Sequence, residues 1–312
     1  MITHLINSEI DKDKWDNCIL NSINGITYAY SWYLDIVHED WEALVENDYE
    51  RVMPLTINTK YGISYFFQPF FTQQLGVFSV SNLSPQIIDN FIQNIPAKVK
   101  VIDYNFNHFN TLDTSKYEVV ENTNYLLDLI SDYSKLKASY STNTKRNLKK
   151  AESENLTFMK SIKPEDIIEL FRNNKGAEID TWDDTNYLVL RRLMYAAIHK
   201  GMGVTFGVFS EFNELCAAAF FIKTNSRLIF LFSGSNDLAR ANGAMTYLID
   251  SVIKINSPGT QILDFEGSNN ENLARYYKGF GASRVAYHRL KINRLSVVQK
   301  ILMNIYNTVN RK

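Results

Sequence analysis

Near its C-terminal end the chain reads Leu263-Asp264-Phe265-Glu266-Gly267-Ser268, then Ala274-Arg275-Tyr276-Tyr277-Lys278-Gly279-Phe280-Gly281-Ala282. On a strand, side chains alternate, so Asp264 and Glu266 share one face and Phe265 takes the other. Two carboxylates on one face raise one another's pKa and make a general base for an amine nucleophile. A phenol on the following helix, Tyr277, can return a proton to a leaving group. A base on one side of an activated carbonyl and an acid on the other is the layout of acyl transfer. Glu266, just past the buried strand, is the first candidate base and Asp264 the second. Against these readings stand bland ones: a helix cap or surface ion pair for the acids, and a satisfied core aromatic for Tyr277.

Two further segments carry chemistry. The loop Asn174-Lys175-Gly176-Ala177-Glu178-Ile179-Asp180-Thr181-Trp182-Asp183-Asp184 is acidic and holds an aromatic. Glu178, Asp180 and Trp182 would suit a cationic amine acceptor, whereas Asp183 and Asp184 also read as caps of the next helix. The basic helix from Ser141 to Ser153 places Lys145 and Arg146 near its start, where they could hold phosphate; otherwise it is a connector with a solvated face.

The elements that must position these groups follow from periodicity. Ala43–Phe70 and Gly207–Gly234 both read strand, acidic turn, strand, turn, strand, and align without gaps at an offset of 164 residues, Glu50 on Glu214 and Phe66 on Phe230. Two helical pieces precede each block: around Trp15–Cys18 and Trp32–Val37, and around Pro164–Asn173 and Thr185–His199. The later strands are rich in Phe, Ile and Val, as buried strands are. Helices are expected over 84–94, 244–255 and 295–309, and strands over 99–104 and 262–265. This predicts an α/β fold of two similar tandem units with mixed central sheets flanked by helices. The first unit spans 1–130, a basic connecting helix 131–155, and the second unit 156–312. The second is the expected active unit and the first the structural one.

At 312 residues, 45% of them hydrophobic, the chain can bury a full core. No window approaches the length of a membrane span, and the N-terminus has no signal-peptide pattern. Cys18 and Cys216 lie far apart, and the five histidines have no metal-ligand spacing, so a disulfide-free, metal-free, cytoplasmic protein is expected. A net charge of −1 hides segregation: residues 1–50 hold eleven acids, while residues 273–312 hold nine Lys or Arg and no acid. Such asymmetry can mark an anion-binding face. The last helix, basic with one apolar stripe, packs on the second unit or rests on the inner face of a membrane.

The segments 140–151 and 240–282 resemble the acyl-CoA N-acyltransferase (GNAT-like) superfamily, in the branch of the Fem-type (FemAB-like) peptidoglycan aminoacyltransferases. Arg240-Ala241-Asn242-Gly243-Ala244-Met245 resembles the Arg/Gln-x-x-Gly-x-Gly/Ala stretch that opens the donor-binding helix, with Met245 departing from the small third residue. The resemblance implies that Arg240, Asn242, Gly243 and Ala244 hold the pyrophosphate of an acyl-CoA at a helix N-terminus. Asn270 and Tyr277 fall at a GNAT-like spacing, which implies the phenol as leaving-group acid. Tyr277-Lys278-Gly279-Phe280-Gly281 and the basic helix resemble Fem-type segments. They imply an aminoacyl-tRNA donor bound through Lys145 and Arg146, and a small-molecule or peptidoglycan-precursor amine as acceptor. Three readings stay open: an acyl-CoA N-acyltransferase, a tRNA-dependent aminoacyltransferase, and a binding protein that kept the fold but lost the donor site.

Overall fold

The computed structural model describes residues 1–179, 181–224, 226–267, 269–297 and 299. In chain order the strands and helices are β1 (Ile2–Leu5), α1 (Lys12–Asn21), α2 (Ser31–Val37), β2 (Glu42–Glu46), β3 (Arg51–Leu55), β4 (Ile57–Lys60), β5 (Ile63–Phe67), β6 (Phe78–Ser79), α3 (Pro85–Gln93), β7 (Val99–Phe106) and β8 (Glu118–Asp128). There follow α4 (Tyr133–Ala138), α5 (Thr142–Glu152), β9 (Thr157–Lys160), α6 (Pro164–Arg172), α7 (Asp184–His199), β10 (Gly203–Phe209), β11 (Leu215–Lys223) and β12 (Arg227–Ser235). The series closes with α8 (Asp237–Asn242), α9 (Ala244–Asn256), β13 (Ile262–Asp264), α10 (Glu271–Lys278) and β14 (Ser283–Asn293). The helix expected over 295–309 falls almost wholly outside the described residues. Among those described, no helix is long and apolar enough to cross a membrane.

Local chemistry explains the boundaries. The Ser84 hydroxyl accepts from the Ile87 N–H at 3.3 Å, and Pro85 follows at the first helical position, so α3 starts there. Ser141 caps α5 in the same way, accepting from Thr144 N–H at 3.2 Å. Asn270 caps α10 through the amides of Asn272 and Leu273.

The chain forms two compact units. The first holds Met1–Asn122 and the segment from Tyr287 onward; the second holds Thr123–Ala286. In the first unit, β1, β2, β3 and β6 form an antiparallel sheet. Its polypeptide leaves that sheet at Thr56 and enters a second one, where β4 pairs β5, β5 runs parallel to β7, and β7 pairs antiparallel with β14. The parallel step from β5 to β7 crosses over through α3, as parallel strands require. Trp15, Trp41, Tyr28, Tyr33, Phe66 and Tyr104 fill this unit's core. The polar tips of these rings are satisfied: the Trp15 indole donates to Ala29 O at 2.7 Å and the Tyr104 hydroxyl to Pro54 O at 3.0 Å.

The second unit repeats the scheme. Its sheet runs in the order β8, β13, β12, β11, β10, β9, with β10, β11 and β12 antiparallel and β12 parallel to β13 through α9. Ala217, Ala219 and Phe221 of β11 pack with Ala244, Leu248, Ile249 and Val252 of α9. Gly234 on β12 meets α6 instead: a Cβ there would lie 2.7 Å from Phe171 N and 2.9 Å from Ile167 O. The sheet is thus covered on both faces.

In the first unit, Asp89 is a buried carboxylate on α3. It accepts from the Tyr117 hydroxyl at 2.5 Å and pairs with Lys116 at 2.9 Å. The Tyr117 hydrogen bond and then Lys116 hold the Asp89 carboxyl below its ordinary range of about 3.8, while burial and Asp89 push Tyr117 up to about 12. A depressed folded-state pKa stabilises fully above the unfolded value and ceases to do so as pH falls through the folded one. Asp89→Asn is therefore expected to lower the melting temperature at neutral pH, with variant and parent chain converging in acid once the pH falls through the depressed Asp89 pKa. A gap of equal size at both pH values in thermal unfolding would assign the stabilisation to packing instead.

Candidate functional site

The site begins where two parallel strands part. Ile229 of β12 faces Asp264 of β13, and the ladder ends there because β13 ends, while β12 continues to Ser235. Beyond Ile229 the β13 side of β12 has no strand partner among the described residues. On its other side β12 carries a bulge. Phe230 pairs Phe221 and Phe232 pairs Phe220, leaving Leu231 as the extra residue. Without the bulge, Phe230 and Phe232 would share a face. With it, Phe230 meets Phe265 and Tyr277 on the α9 side, and Phe232 meets Phe171 and Trp182 on the α6 side. Bulges re-aim side chains and recur beside active sites for this reason.

Asp264 is 1% exposed and fully engaged. Its carboxylate pairs with Arg227 Nη1 at 2.6 Å, accepts from Asn124 Nδ2 at 2.9 Å, and accepts from the Glu266 backbone N–H at 2.9 Å. It therefore binds β8, β12 and the following loop together, with its charge matched by a guanidinium. The strand does not continue to Glu266 as alternation predicts. Phe265 N–H is taken by Tyr125 O, and Glu266 turns to φ 55°, in the left-handed region. A non-glycine residue there is strained, and such strain collects at functional sites. The turn is fixed by Gly267 (φ 52°), whose Cα lies so close to β8 that a Cβ would stand 2.1 Å from Thr123 O.

Tyr277 lies buried on α10, its ring stacked on Phe265 at 4.8 Å and edge-on to Phe230 at 6.3 Å. Burial, then Tyr276, then the charge of Glu266 drive its pKa up, so the phenol is protonated at neutral pH and Glu266 is within electrostatic reach. Its hydroxyl has no hydrogen-bond partner among the described residues. Glu266 and Tyr277 thus come together, and Asp264 stands behind them as a support.

The donor segment is arranged differently. Gly243 ends α8 and opens α9 at φ 77°, but the space above it is filled: a Cβ would meet Asn147 O at 2.8 Å and the Ala151 methyl at 3.3 Å, both on α5. Asn242 and Ala244 are buried, and the Ala244 N–H is already taken by the Asn242 side chain at 3.0 Å. A pyrophosphate needs open amides at this turn, and here one amide is taken and the side of Gly243 toward α5 is closed. Met245 is not the obstacle, since it packs toward the core; the closure comes from α5. Arg240 is exposed, 3.9 Å from Asp237.

Lys145 and Arg146 are exposed on α5, tied to Ala138 O and Asn143 Oδ1 at 2.6 Å each. The start of α5 docks on the end of α10: Ser141 N–H bonds Gly279 O at 2.9 Å, and Cβ atoms on Gly279 or Gly281 would collide with Thr144 or Ser139. The two segments that carry the Fem-type resemblance are therefore one packed unit, a contact that their spacing in sequence does not reveal.

In the acidic loop, Trp182 packs on Phe232 and Phe171, which brings it to β12. Glu178 is exposed; its ion pair with Lys175 holds its pKa down, with Arg240 adding to the effect. Asp183 caps α7 in a reciprocal pair with Asn186, and Asp184 pairs Arg172 at 2.7 Å. Much of the loop's charge is thus spent on its own structure. Asp180 lies outside the described residues. The Leu231 bulge was not visible in the sequence, and neither was the Arg227 partner of Asp264; an arginine opening a hydrophobic strand was the available signal.

No protein-family model matches this chain, and no curated protein sequence matches it significantly. Solved structures do. FemX is 10% identical over 98% of this chain and 99% of its own, with a TM-score of 0.69. L-PGS from Bacillus licheniformis is 10% identical over 97% and 98%, with a TM-score of 0.57. A tandem GNAT protein from the clavulanic acid biosynthesis pathway is 9% identical over 95% and 99%, with a TM-score of 0.53. The chain shares the fold of FemX and of this tandem GNAT protein, with mixed sheets flanked by helices.

Two predictions follow from the geometry. Asp264→Ala leaves Arg227 buried without its counter-charge and is expected to lower the unfolding free energy by about 3 kcal/mol; denaturant melts with an unchanged midpoint would show the pair to be dispensable. Gly267→Ala forces a methyl into β8 and is expected to destabilise by on the order of 1–3 kcal/mol. A variant as stable as the parent would mean that the loop is free to shift.

Proposed function

We propose that the second unit transfers an aminoacyl group from an ester-linked donor, an aminoacyl-tRNA, to an amine acceptor such as a peptidoglycan precursor, with the first unit in a structural role. The observation that carries this reading is the pairing of the strained Glu266 with the buried, protonated Tyr277 where β12 and β13 part. Glu266 takes a proton from the attacking amine. The amine nitrogen bonds to the acyl carbon while the ester C–O bond breaks, and Tyr277 gives its proton to the departing oxygen. Proton return from Glu266 to Tyr277 through solvent restores both groups. Backbone amides of Phe232–Ser235, on the unpartnered side of β12, would bind the oxyanion.

The filled turn at Gly243 favours an ester-linked donor over an acyl-CoA, because no step then needs a pyrophosphate seated there. The exposed basic face of α5 supports a polyanionic donor. The names of two similar folds, FemX and a lysylphosphatidylglycerol synthetase domain from Agrobacterium fabrum, accord with aminoacyl products. The same filled turn also supports a second reading, a binding protein that has lost catalysis.

The test is turnover of charged tRNA with a panel of amine acceptors. Glu266→Gln and Tyr277→Phe should each lower kcat by about 10²–10³-fold with little change in donor affinity. Full turnover in both variants would remove these residues from the reaction. Absence of turnover with tight, salt-insensitive acceptor binding would favour the second reading.

A further inference from the structure

At the start of β12 the second unit holds a cavity of about 550 Å³. It sits where β10 begins and β11 ends. Leu228 at the cavity and Ser235 at the far end of β12 are seven residues apart, or about 23 Å of strand. Three lysines line it: Lys160 at the end of β9, Lys163 before α6, and Lys223 at the end of β11. No acidic side chain is among its described lining residues, and none of the three lysines is in an ion pair among the described residues. Glu165, next along the chain from Pro164, is occupied by the Tyr195 hydroxyl at 2.8 Å. The wall between the lysines is apolar, formed by Val204, Phe206, Leu228 and Ile255. Ser161, also in the lining, sits at φ 63° with its N–H bonded to Thr205 O.

We propose that this cavity is a binding site for an amphiphilic anion: a carboxylate or phosphate head met by Lys160, Lys163 and Lys223, on a short aliphatic body lying against Val204 and Ile255. The volume falls within the range of small-molecule sites, and convergent polar groups over an apolar wall are their usual construction. The three lysines share one concavity whose lining holds no acidic residue among those described, and a bound anion would supply the counter-charge. The alternative is that the lysines only offset the C-terminal ends of α7 and α9, where cations are favoured.

The experiment is calorimetric titration of the full chain with octyl phosphate, octanoate, octanol and inorganic phosphate, below micellar concentrations. Saturable one-site binding of octyl phosphate or octanoate is expected, weakened at least tenfold in the Lys160→Met/Lys163→Met/Lys223→Met variant and in Val204→Glu. Which of the two anions binds identifies the head group. Octanol binding as tightly as the anions would overturn head recognition, and inorganic phosphate binding equally well would overturn the apolar half. No saturable binding, or a triple-lysine variant altered in melting temperature but not in binding, would overturn the proposal.

Discussion

The Asp264 carboxylate is taken from water and placed between three pieces of backbone: β12 through Arg227, β8 through Asn124, and the loop amide of Glu266. A buried charge is tolerated only when its counter-charge and remaining lone pairs are met, so these partners must hold their positions together. That requirement ends β13 at Asp264, sets the start of the Glu266 turn, and fixes the place where β12 loses its parallel neighbour. Phe265 then stacks beneath Tyr277, and the phenol is held dry. The acid on the strand is thus spent on structure, whereas Glu266 lies beyond the strand, in the turn that follows.

A second constraint comes from the extra residue in β12. An antiparallel ladder with strict alternation would put Phe230 and Phe232 on one face of the sheet. The bulge at Leu231 sends Phe230 to one side and Phe232 to the other. Trp182 and Tyr277 are therefore each packed by neighbouring positions on a single strand. The same strand, at its start, also reaches the lysine-lined cavity.

The packing of α5 over Gly243 bears on the donor. In a helix N-terminus that binds phosphate, the amides must face open space. Here an amide is used by Asn242 and a carbonyl oxygen of Asn147 stands over the glycine. The carbonyl's partial negative charge opposes an anion at that spot.

Much of the architecture was legible in one dimension. Periodicity marked α6, α7 and α9, Ser84-Pro85 and Ser141 marked helix starts, and the offset of 164 residues matched β3 to β11 and β5 to β12. These signals are local: a cap bonds within three residues, and a helix or strand repeats its burial within a few. The sequence also offered Glu266 and Tyr277 as candidates, because an acid past a strand and a phenol on the next helix are neighbours along the chain. It misassigned Asp264 to the same strand face as Glu266, since nothing local announces that Arg227, 37 residues earlier, claims that carboxylate. Met245 marked a departure from the donor pattern, but the atoms that stand against Gly243 belong to Asn147 and Ala151. Residue types and their short-range spacing determined the elements and the inventory of reactive groups. Which groups meet, which are spent on ion pairs, and which turn is filled were decided by tertiary packing, because burial and charge pairing depend on partners that only folding brings within a few ångströms.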